Sequence, residues 1–477
     1  GDAASEAVRG VATDARAELD GKVFVALRGE RFDGHDFMGD AVARGARVLL
    51  IEEQGAARAA EYSDRGVVIV ADTLRALGDL AREKRHRWGG RVIAIGGSAG
   101  KTTTRSVVTH LLSAVLPRRV LSTSGNLNNR IGVPMMLLTL SDEHELAVLE
   151  LGTNQHGEMA ELTHICEPDV GLLTLIDLEH TEGLGDLDGV EREEAALFEG
   201  LGEAGIAAGW LGDERVARRL QLSKAARKLG YGSGDDAFAQ LRARRSTPEG
   251  KSVLDVVLAG RSLTIETSLL GEPGALAVLA GLTIVESLFP NVLDGSTVTR
   301  ALEGAGEPGR GTLLQLPSGI VILDDTYNSN PKSALASLQT GRELADLSGG
   351  RLFLVFGEML ELGALADEAH RELGVHASQV RPDRFVGVRG AMQLAVDAAR
   401  ELGVAADFVR ESSDVAPLLK EGLEPGDVIV VKASRGVRAE RVIEDLKAMV
   451  GSQGQVSARS GTARVSGLRG SGAGDPA

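Results

Sequence analysis

Between Arg91 and Val108 an apolar stretch, RVIAI, runs into GGSAGKTTT and then into RSVVTHLLSAVL, whose apolar residues recur at helical spacing. Strand, glycine loop and helix in that order are what phosphate binding requires. Gly97 and Gly100 let backbone N–H groups approach phosphate oxygens, Lys101 neutralises them, and the helix N-terminus adds a favourable dipole. Thr102 or Thr103 offers a hydroxyl to Mg²⁺. Ile95 stands where the first glycine of GxxxxGK[ST] belongs, so the loop is a shortened one. A glycine turn capped by threonines, with no ligand, is the alternative. Lys101 is expected to face solvent when no ligand is bound.

Handling MgATP also calls for carboxylates or imidazoles near the phosphates. Glu150 follows AVL at a strand end and precedes Gly152, at the edge where open α/β sheets bind ligands. His180 and Glu182, in DLEHTEG after VGLLTLI, occupy the next such edge. A solvated glutamate and a structural histidine are the competing readings. Cys166 reads as a small apolar residue near a helix end.

The elements that must position these groups come in three series. The runs Val23 to Leu27, Val48 to Ile51 and Val67 to Val70 alternate with helical spacing such as Asp36 to Ala46. A second series contains Arg91 to Ile95, Leu146 to Leu151, Val170 to Ile176 and Gly205 to Leu211. After a Gly/Pro-rich hinge at Gly304 to Gly311 come Ile320 to Leu323, Leu352 to Phe356, Phe385 to Val388 and Val428 to Val431. Short buried strands alternating with amphipathic helices predict mainly parallel sheets covered by helices. The expected division is 1–89, 90–308 and 309–450, with a disordered tail at 451–477.

Composition narrows the class. The 477 residues, 43% hydrophobic, can build about three domains of roughly 150 residues. The 61 glycines suit tight turns between short strands. With 52 basic and 68 acidic residues the net charge is −16, which argues against a sequence-independent grip on nucleic acid or an anionic membrane. One cysteine excludes an internal disulfide and a cysteine-rich zinc site. No apolar run reads as a bilayer span and no signal pattern opens the chain, so a cytoplasmic protein without membrane insertion is expected.

Together these pieces resemble the Mur ligase family, over nearly the whole chain apart from the tail. GGSAGKTTT resembles its shortened phosphate loop. VATDAR and FVALRGERFDGHDF look like its uridine-nucleotide domain, with Ala15 replacing the usual serine. SGNLNNRIGVP, LELGTNQHGEM, HTEGLGDLDGV, LDDTYNSNPKSAL, FGEMLELG and KASRGVRAERV follow in the expected order. The resemblance implies an α/β, three-domain architecture around a central P-loop ATPase domain. It implies an ATP- and Mg²⁺-dependent ligase that joins D-alanyl-D-alanine to UDP-N-acetylmuramoyl tripeptide through an acyl phosphate, and a monomer is expected.

Residue by residue, the resemblance assigns Gly97, Ser98, Ala99, Gly100, Lys101, Thr102 and Thr103 to the phosphates of ATP. Arg310, Asp325, Asn328 and Asn330 go to the nucleotide from the third domain, with Asp325 on the ribose. Thr102, Glu150, His180 and Glu194 go to the metal, and Thr13, Asp14, Arg16, Asn128 and Asn129 to the UDP-substrate. Lys101, His180 and Arg310 are the implied catalytic residues. An Asx turn without a ligand is the other reading of the stretch from Asn328 to Pro331.

Departures from the pattern bear on function. The family carries at position 194 a lysine that CO₂ converts to a carbamate ligand; Glu194 supplies a carboxylate without CO₂ but loses about 4 Å of reach. The family's His-Asn pair and following asparagine correspond to Pro273, Gly274 and Ala277, and the polar residues after GIAAG to Trp210, Leu211, Gly212 and Asp213. Arg130 replaces an acidic residue. Three readings follow: a working amide ligase, a diverged relative that binds nucleotide or UDP-substrate without turnover, and a small-molecule kinase, which leaves the first and third domains unexplained.

Overall fold

The computed structural model describes residues 8–29, 31–62, 64–116, 118–419 and 422–449; the expected tail at 451–477 lies outside them. The chain forms two compact units. The first comprises Gly1–Glu307 with Asn330–Ser333 and Glu361–Leu365, and the second the remainder, from Pro308 onward.

The first unit contains two sheets. Strands Val11–Ala12, Val23–Val25, Val48–Glu52 and Gly66–Val70 pair in that order, all parallel. The other sheet has nine strands, and its parallel centre is ordered Ile206–Trp210, Val170–Leu173, Arg91–Gly96, His144–Glu150, Arg119–Ser122. Successive side chains of a strand face opposite ways. Ile93, Ile95, Val148 and Leu172 therefore enter a core under the helices Lys101–Val115 and Gly271–Leu288. Val92, Ala94, Ala147, Leu149 and Leu173 enter the core on the opposite face, with Leu162 and Phe198. Residues 92–95 are fully buried, and each large side chain of this kind contributes about 1.5–3 kcal/mol. The loop that follows is thus mounted on a strand buried on both faces.

Three features differ from expectation. Strands Ala239–Ser246, Ser252–Leu258 and Arg261–Thr267 add an antiparallel meander to the nine-stranded sheet. Ser252–Leu258 alternates buried and half-buried residues, and Asp255 interrupts its apolar residues, so it lacks the unbroken apolar stretch of a fully buried strand. The strand expected to reach Ile176 ends at Leu173, because Thr174 turns its hydroxyl to the carbonyls of Gly96 and Ala99. Among the described residues one helix, Gly271–Leu288, is long and apolar enough to cross a membrane by length and composition, against expectation. It is mostly buried and packs in the core, where a helix apolar all round belongs.

The second unit is built on a six-stranded sheet ordered Thr312–Gln315, Val321–Asp325, Val428–Lys432, Leu352–Gly357, Arg384–Val388, Ala406–Val409. The first strand is antiparallel to its neighbour and the others run parallel. The late strand Val428–Lys432 inserts between two earlier ones, and its register sets Lys432 opposite Asp325 at the carboxyl edge.

Candidate active site

The sheet register begins the site. Ile95 pairs with Glu150, so the last residue of one strand stands beside the strand that launches the glycine loop. Gly97 has φ +114, and a Cβ there would lie 2.2 Å from Thr174 Oγ1, so this position accepts only glycine. The loop is fastened on one side: Ser98 N–H donates to the Leu175 carbonyl at 2.8 Å, and Asp177 N–H to Ser98 Oγ at 2.9 Å. Gly100, at φ +84, precedes the helix Lys101–Val115, and no side chain caps that helix. Its first N–H groups are therefore available to an anion.

Lys101 does not face solvent. Its side chain is 12% exposed, donates to the Gly97 carbonyl at 2.5 Å and lies 3.5 Å from Glu179 Oε2. Burial alone would lower its pKa, but Glu179, Glu194 and Glu150 together raise it, so the ammonium is held charged. The Gly97 carbonyl within the loop and carboxylates brought in from other parts of the chain draw the side chain inward.

Thr102 Oγ1 donates to Glu150 Oε2 at 2.8 Å, and Asn128 Nδ2 to Glu150 Oε1 at 3.0 Å. Asn128, expected at the UDP-substrate, thus orients the carboxylate expected at the metal. Asn129 Oδ1 accepts from Gly132 N–H at 2.8 Å and so holds the turn into the helix Gly132–Leu138. Arg130 pairs with Glu161. Thr103 is half-buried on the same helix turn as Thr102.

Glu194, on the helix Leu187–Glu199, is buried and accepts from Gly97 N–H at 2.6 Å through Oε2. Burial raises its pKa to about 7, against the opposing pull of Lys101. His180, at φ 52, lies between two carboxylates: Nε2 is 3.3 Å from Glu179 Oε1, and Nδ1 contacts Glu361 Oε2. Burial opposes protonation, but hydrogen bonds to Glu179 and Glu361 prevail and lift the pKa to about 9. Glu182, beside them in sequence, is exposed.

Four residues were expected at a metal. The structure brings Thr102 and Glu150 together, turns Glu194 to a backbone N–H, and surrounds His180 with carboxylates that keep it protonated. Among the described residues no group of three or more His, Cys, Asp or Glu side chains is arranged to hold a metal. The Glu150 carboxylate and Thr102 hydroxyl remain a hard-oxygen pair of the kind Mg²⁺ takes when phosphates and water complete its shell.

Around the loop, Asn330 Nδ2 reaches the Ser98 carbonyl at 3.5 Å, while its Oδ1 accepts from Ser333 N–H at 2.9 Å. Lys332 N–H donates to Asp177 Oδ2 at 2.8 Å, and Lys332 Nζ meets Asp213 Oδ2 at 2.9 Å and lies over the Trp210 ring at 5.2 Å. Glu179, Glu361, Asp177 and Lys332 were not singled out by sequence reasoning as site residues, whereas Asp213 was named at one of the family's polar positions. Glu179 could have been, since it adjoins His180; Glu361 and Lys332 lie within FGEMLELG and LDDTYNSNPKSAL, but spacing along the chain does not show that they reach His180 and Asp177. Pro273, Gly274 and Ala277 start the helix Gly271–Leu288, and a Cβ at 274 would lie 2.6 Å from the Leu269 carbonyl carbon.

In the four-stranded sheet's domain, Asp14 accepts from Arg16 Nε at 3.0 Å and Nη2 at 2.9 Å. Both are exposed, Thr13 is half-buried and Ala15 buried. The Arg16 guanidinium holds the Asp14 pKa down at about 2.

Within the second unit, Asp325 Oδ2 accepts from Lys432 Nζ and from Ser337 Oγ, each at 2.6 Å. Lys432 is fully buried and also donates to the Asn328 carbonyl at 3.0 Å. Arg310 stacks on the Tyr327 ring at 3.9 Å, and Arg435 lies 5.0 Å from the same ring.

Three family models match the chain: the Mur ligase family catalytic domain over residues 7–85, the Mur ligase middle domain over 95–285, and the Mur ligase glutamate ligase domain over 309–435. The chain is 32% identical to UDP-N-acetylmuramoyl-tripeptide--D-alanyl-D-alanine ligase of Bacillus subtilis, covering 92% of this chain and 93% of the relative. It is 34% identical to the Escherichia coli protein of the same name, with the same coverage. The crystal structure of MurF ligase from Thermotoga maritima in complex with ADP superposes with a TM-score of 0.82 at 27% identity, covering 94% of this chain and 99% of that one.

Proposed function

This chain belongs to the Mur ligase family, and we propose a division of labour among its residues for the reaction that membership brings. The reaction is the ATP-dependent joining of D-alanyl-D-alanine to UDP-N-acetylmuramoyl tripeptide in peptidoglycan synthesis. The observation that carries this is the end-to-end match at 32–34% identity.

A carboxylate is a poor acyl donor. Its oxygen attacks the γ-phosphorus of ATP and ADP leaves; the dipeptide amine then attacks the acyl carbon, phosphate departs with that oxygen, and the amine sheds a proton. Lys101 and the uncapped helix N-terminus stabilise the charge that collects on the transferred phosphoryl group. Thr102 and Glu150 would hold Mg²⁺, which supplies charge neutralisation between the phosphates when bound. Asn128 orients Glu150 for that task. His180 can ligate only after losing the proton that Glu179 and Glu361 retain. Glu194 holds the loop through Gly97 in place of a carbamate. We assign Arg310, Asp325, Asn328 and Asn330 to the nucleotide on the family's pattern, with Asp325 on the ribose. Thr13, Asp14 and Arg16 serve the UDP-substrate, with Asn129 setting the adjoining turn.

The functional divisions we propose are 1–89 for the UDP-substrate, 90–308 for ATP and 309–450 for nucleotide closure, in a cytoplasmic monomer. The test is ADP release with MgATP, UDP-N-acetylmuramoyl tripeptide and D-alanyl-D-alanine, each omitted in turn. Turnover requiring all three, with a pentapeptide product by mass, is expected. Tight UDP-substrate binding without product would instead make the chain a binding protein on a ligase scaffold.

A further inference from the structure

Arg105 lies one turn beyond Lys101 on the helix Lys101–Val115 and is buried. Its guanidinium meets groups from three other parts of the chain. Nη1 donates to Ser122 Oγ at 2.9 Å, at the end of the strand Arg119–Ser122, and Nη2 donates to Glu307 Oε1 at 2.5 Å. Nε lies 3.8 Å from Glu150 Oε2, the oxygen that accepts from Thr102, and among the described residues this buried N–H has no hydrogen-bond partner. One cation therefore stands between the enclosed carboxylate assigned to the metal and a second carboxylate, Glu307, that is 33% exposed.

Glu307 ends the long continuous stretch of the first unit and lies in the Gly/Pro-rich segment Gly304 to Gly311. Gly304 and Gly309 flank it in left-handed backbone, at φ 82 and 73, a conformation that glycine takes at no steric cost. The helix holds this segment at two consecutive residues. Ser106 Oγ donates to the Ala305 carbonyl at 2.8 Å, beside the pair of Arg105 with Glu307. Only Pro308 and Gly309 separate Glu307 from Arg310.

A dication on Glu150 repels a guanidinium that lies against the same oxygen, and the repulsion is strongest where water is scarce. Arg105 can yield without losing its charge partner, because Glu307 already holds it. We propose that Arg105 is a positioning residue that couples the metal seat at Glu150 to the segment 305–307. A metal on Glu150 drives the guanidinium onto Glu307 and tightens that segment. Glu307, by drawing Arg105 off Glu150, raises the affinity for the metal. The two effects are one coupling free energy and are equal by linkage. The inference rests on the ligase reading above for the metal itself.

The experiment measures Mn²⁺ binding to the full chain with one equivalent of ADP, from the electron paramagnetic resonance signal of free Mn²⁺, in a cycle of Glu307→Gln, Arg105→Gln and the double variant. Glu307→Gln lets Arg105 lean on Glu150 and should weaken Mn²⁺ binding about fivefold or more. Arg105→Gln should tighten it by a similar factor, and adding Glu307→Gln to that background should change the affinity by less than about twofold. A residue that only supports the fold would weaken binding in both single variants. Arg105→Met takes its place in the cycle if thermal melting shows that the glutamine variant does not fold. Mn²⁺ binding that is unchanged or tighter in Glu307→Gln, or weaker in a folded Arg105 variant, overturns the proposal. So does a Glu307→Gln effect of equal size in both backgrounds, since Glu307 would then act on the metal by its own charge, and so does a wild type that binds no Mn²⁺. Turnover plays no part in this readout: a chain that shows the cycle and makes no pentapeptide upholds the coupling while the ligase reading fails.

Discussion

Gly97 N–H donates to Glu194 Oε2 at 2.6 Å, joining the first turn of the phosphate loop to a helix 97 residues away in sequence. The carboxylate is fully enclosed, and burial lifts its pKa from 4.5 to about 7. The folded protein therefore binds this proton more tightly than the unfolded chain. Its contribution to stability falls as pH rises from about 4.5 to 7 and is flat beyond, by an amount on the order of 3 kcal/mol. Glu194→Gln keeps an acceptor for Gly97 and removes the titration. Urea melts from pH 4 to 8 should show a wild-type-minus-variant stability that declines across this window; a constant difference would refute the assignment.

His180 behaves in the same sense, in a higher pH window. Its pKa is lifted from 6.5 to about 9 despite burial, through Glu179 and Glu361. The stabilisation from its charged form is fully present below about pH 6.5 and is lost as pH rises through about 9. NMR titration of the His180 ring nitrogens should give a midpoint near 9, moving down in Glu361→Gln. A wild-type midpoint near 6.5 would mean that the two carboxylates do not hold the proton.

Lys101→Ala should abolish turnover and also weaken the fold. Removing the ammonium leaves Glu179, the Gly97 carbonyl and the other buried carboxylates without their cation. A loss of about 1–3 kcal/mol is expected in denaturant melts. A variant as stable as the wild type would show that the inward-turned lysine is structurally idle.

Restoring asparagine at position 274 should not restore polar contact with a base. A Cβ there meets the Leu269 backbone at 2.6 Å, and overpacking of this kind costs about 1–3 kcal/mol. Gly274→Asn is expected to lower the melting temperature without lowering the KM for ATP. A stable variant with a lower KM would reveal room that the packing does not provide.

Lys432 offers a contrast within the second unit. Asp325 and Lys432 are register partners, and the fully buried ammonium depends on Asp325 for its charge partner. Asp325→Asn alone should destabilise by about 3–5 kcal/mol, while the double change with Lys432→Met should recover most of the loss. Equal losses in the single and double variants would show that the pair is not coupled.

The chain's local order already determined a good deal. RVIAI followed by GGSAGKTTT specified strand, loop and helix, because only glycine suits the backbone at 97 and 100 and only a buried strand is apolar at every position from 92 to 95. The ordered motifs determined the family, and Glu150 at a strand end was correctly placed beside the loop. The antiparallel meander at 239–267 was hidden because its half-buried strands set polar residues among the apolar ones, as Asp255 does in SVLDVVL. Where the side chains of Lys101, His180 and Glu194 turn was decided only by tertiary structure. Each makes its shortest side-chain contact with a group that the fold alone supplies or exposes: a loop carbonyl, Glu361, and the N–H of Gly97. A buried charge takes the best partner within reach, and what lies within reach is set by sheet register and helix packing across scores of residues.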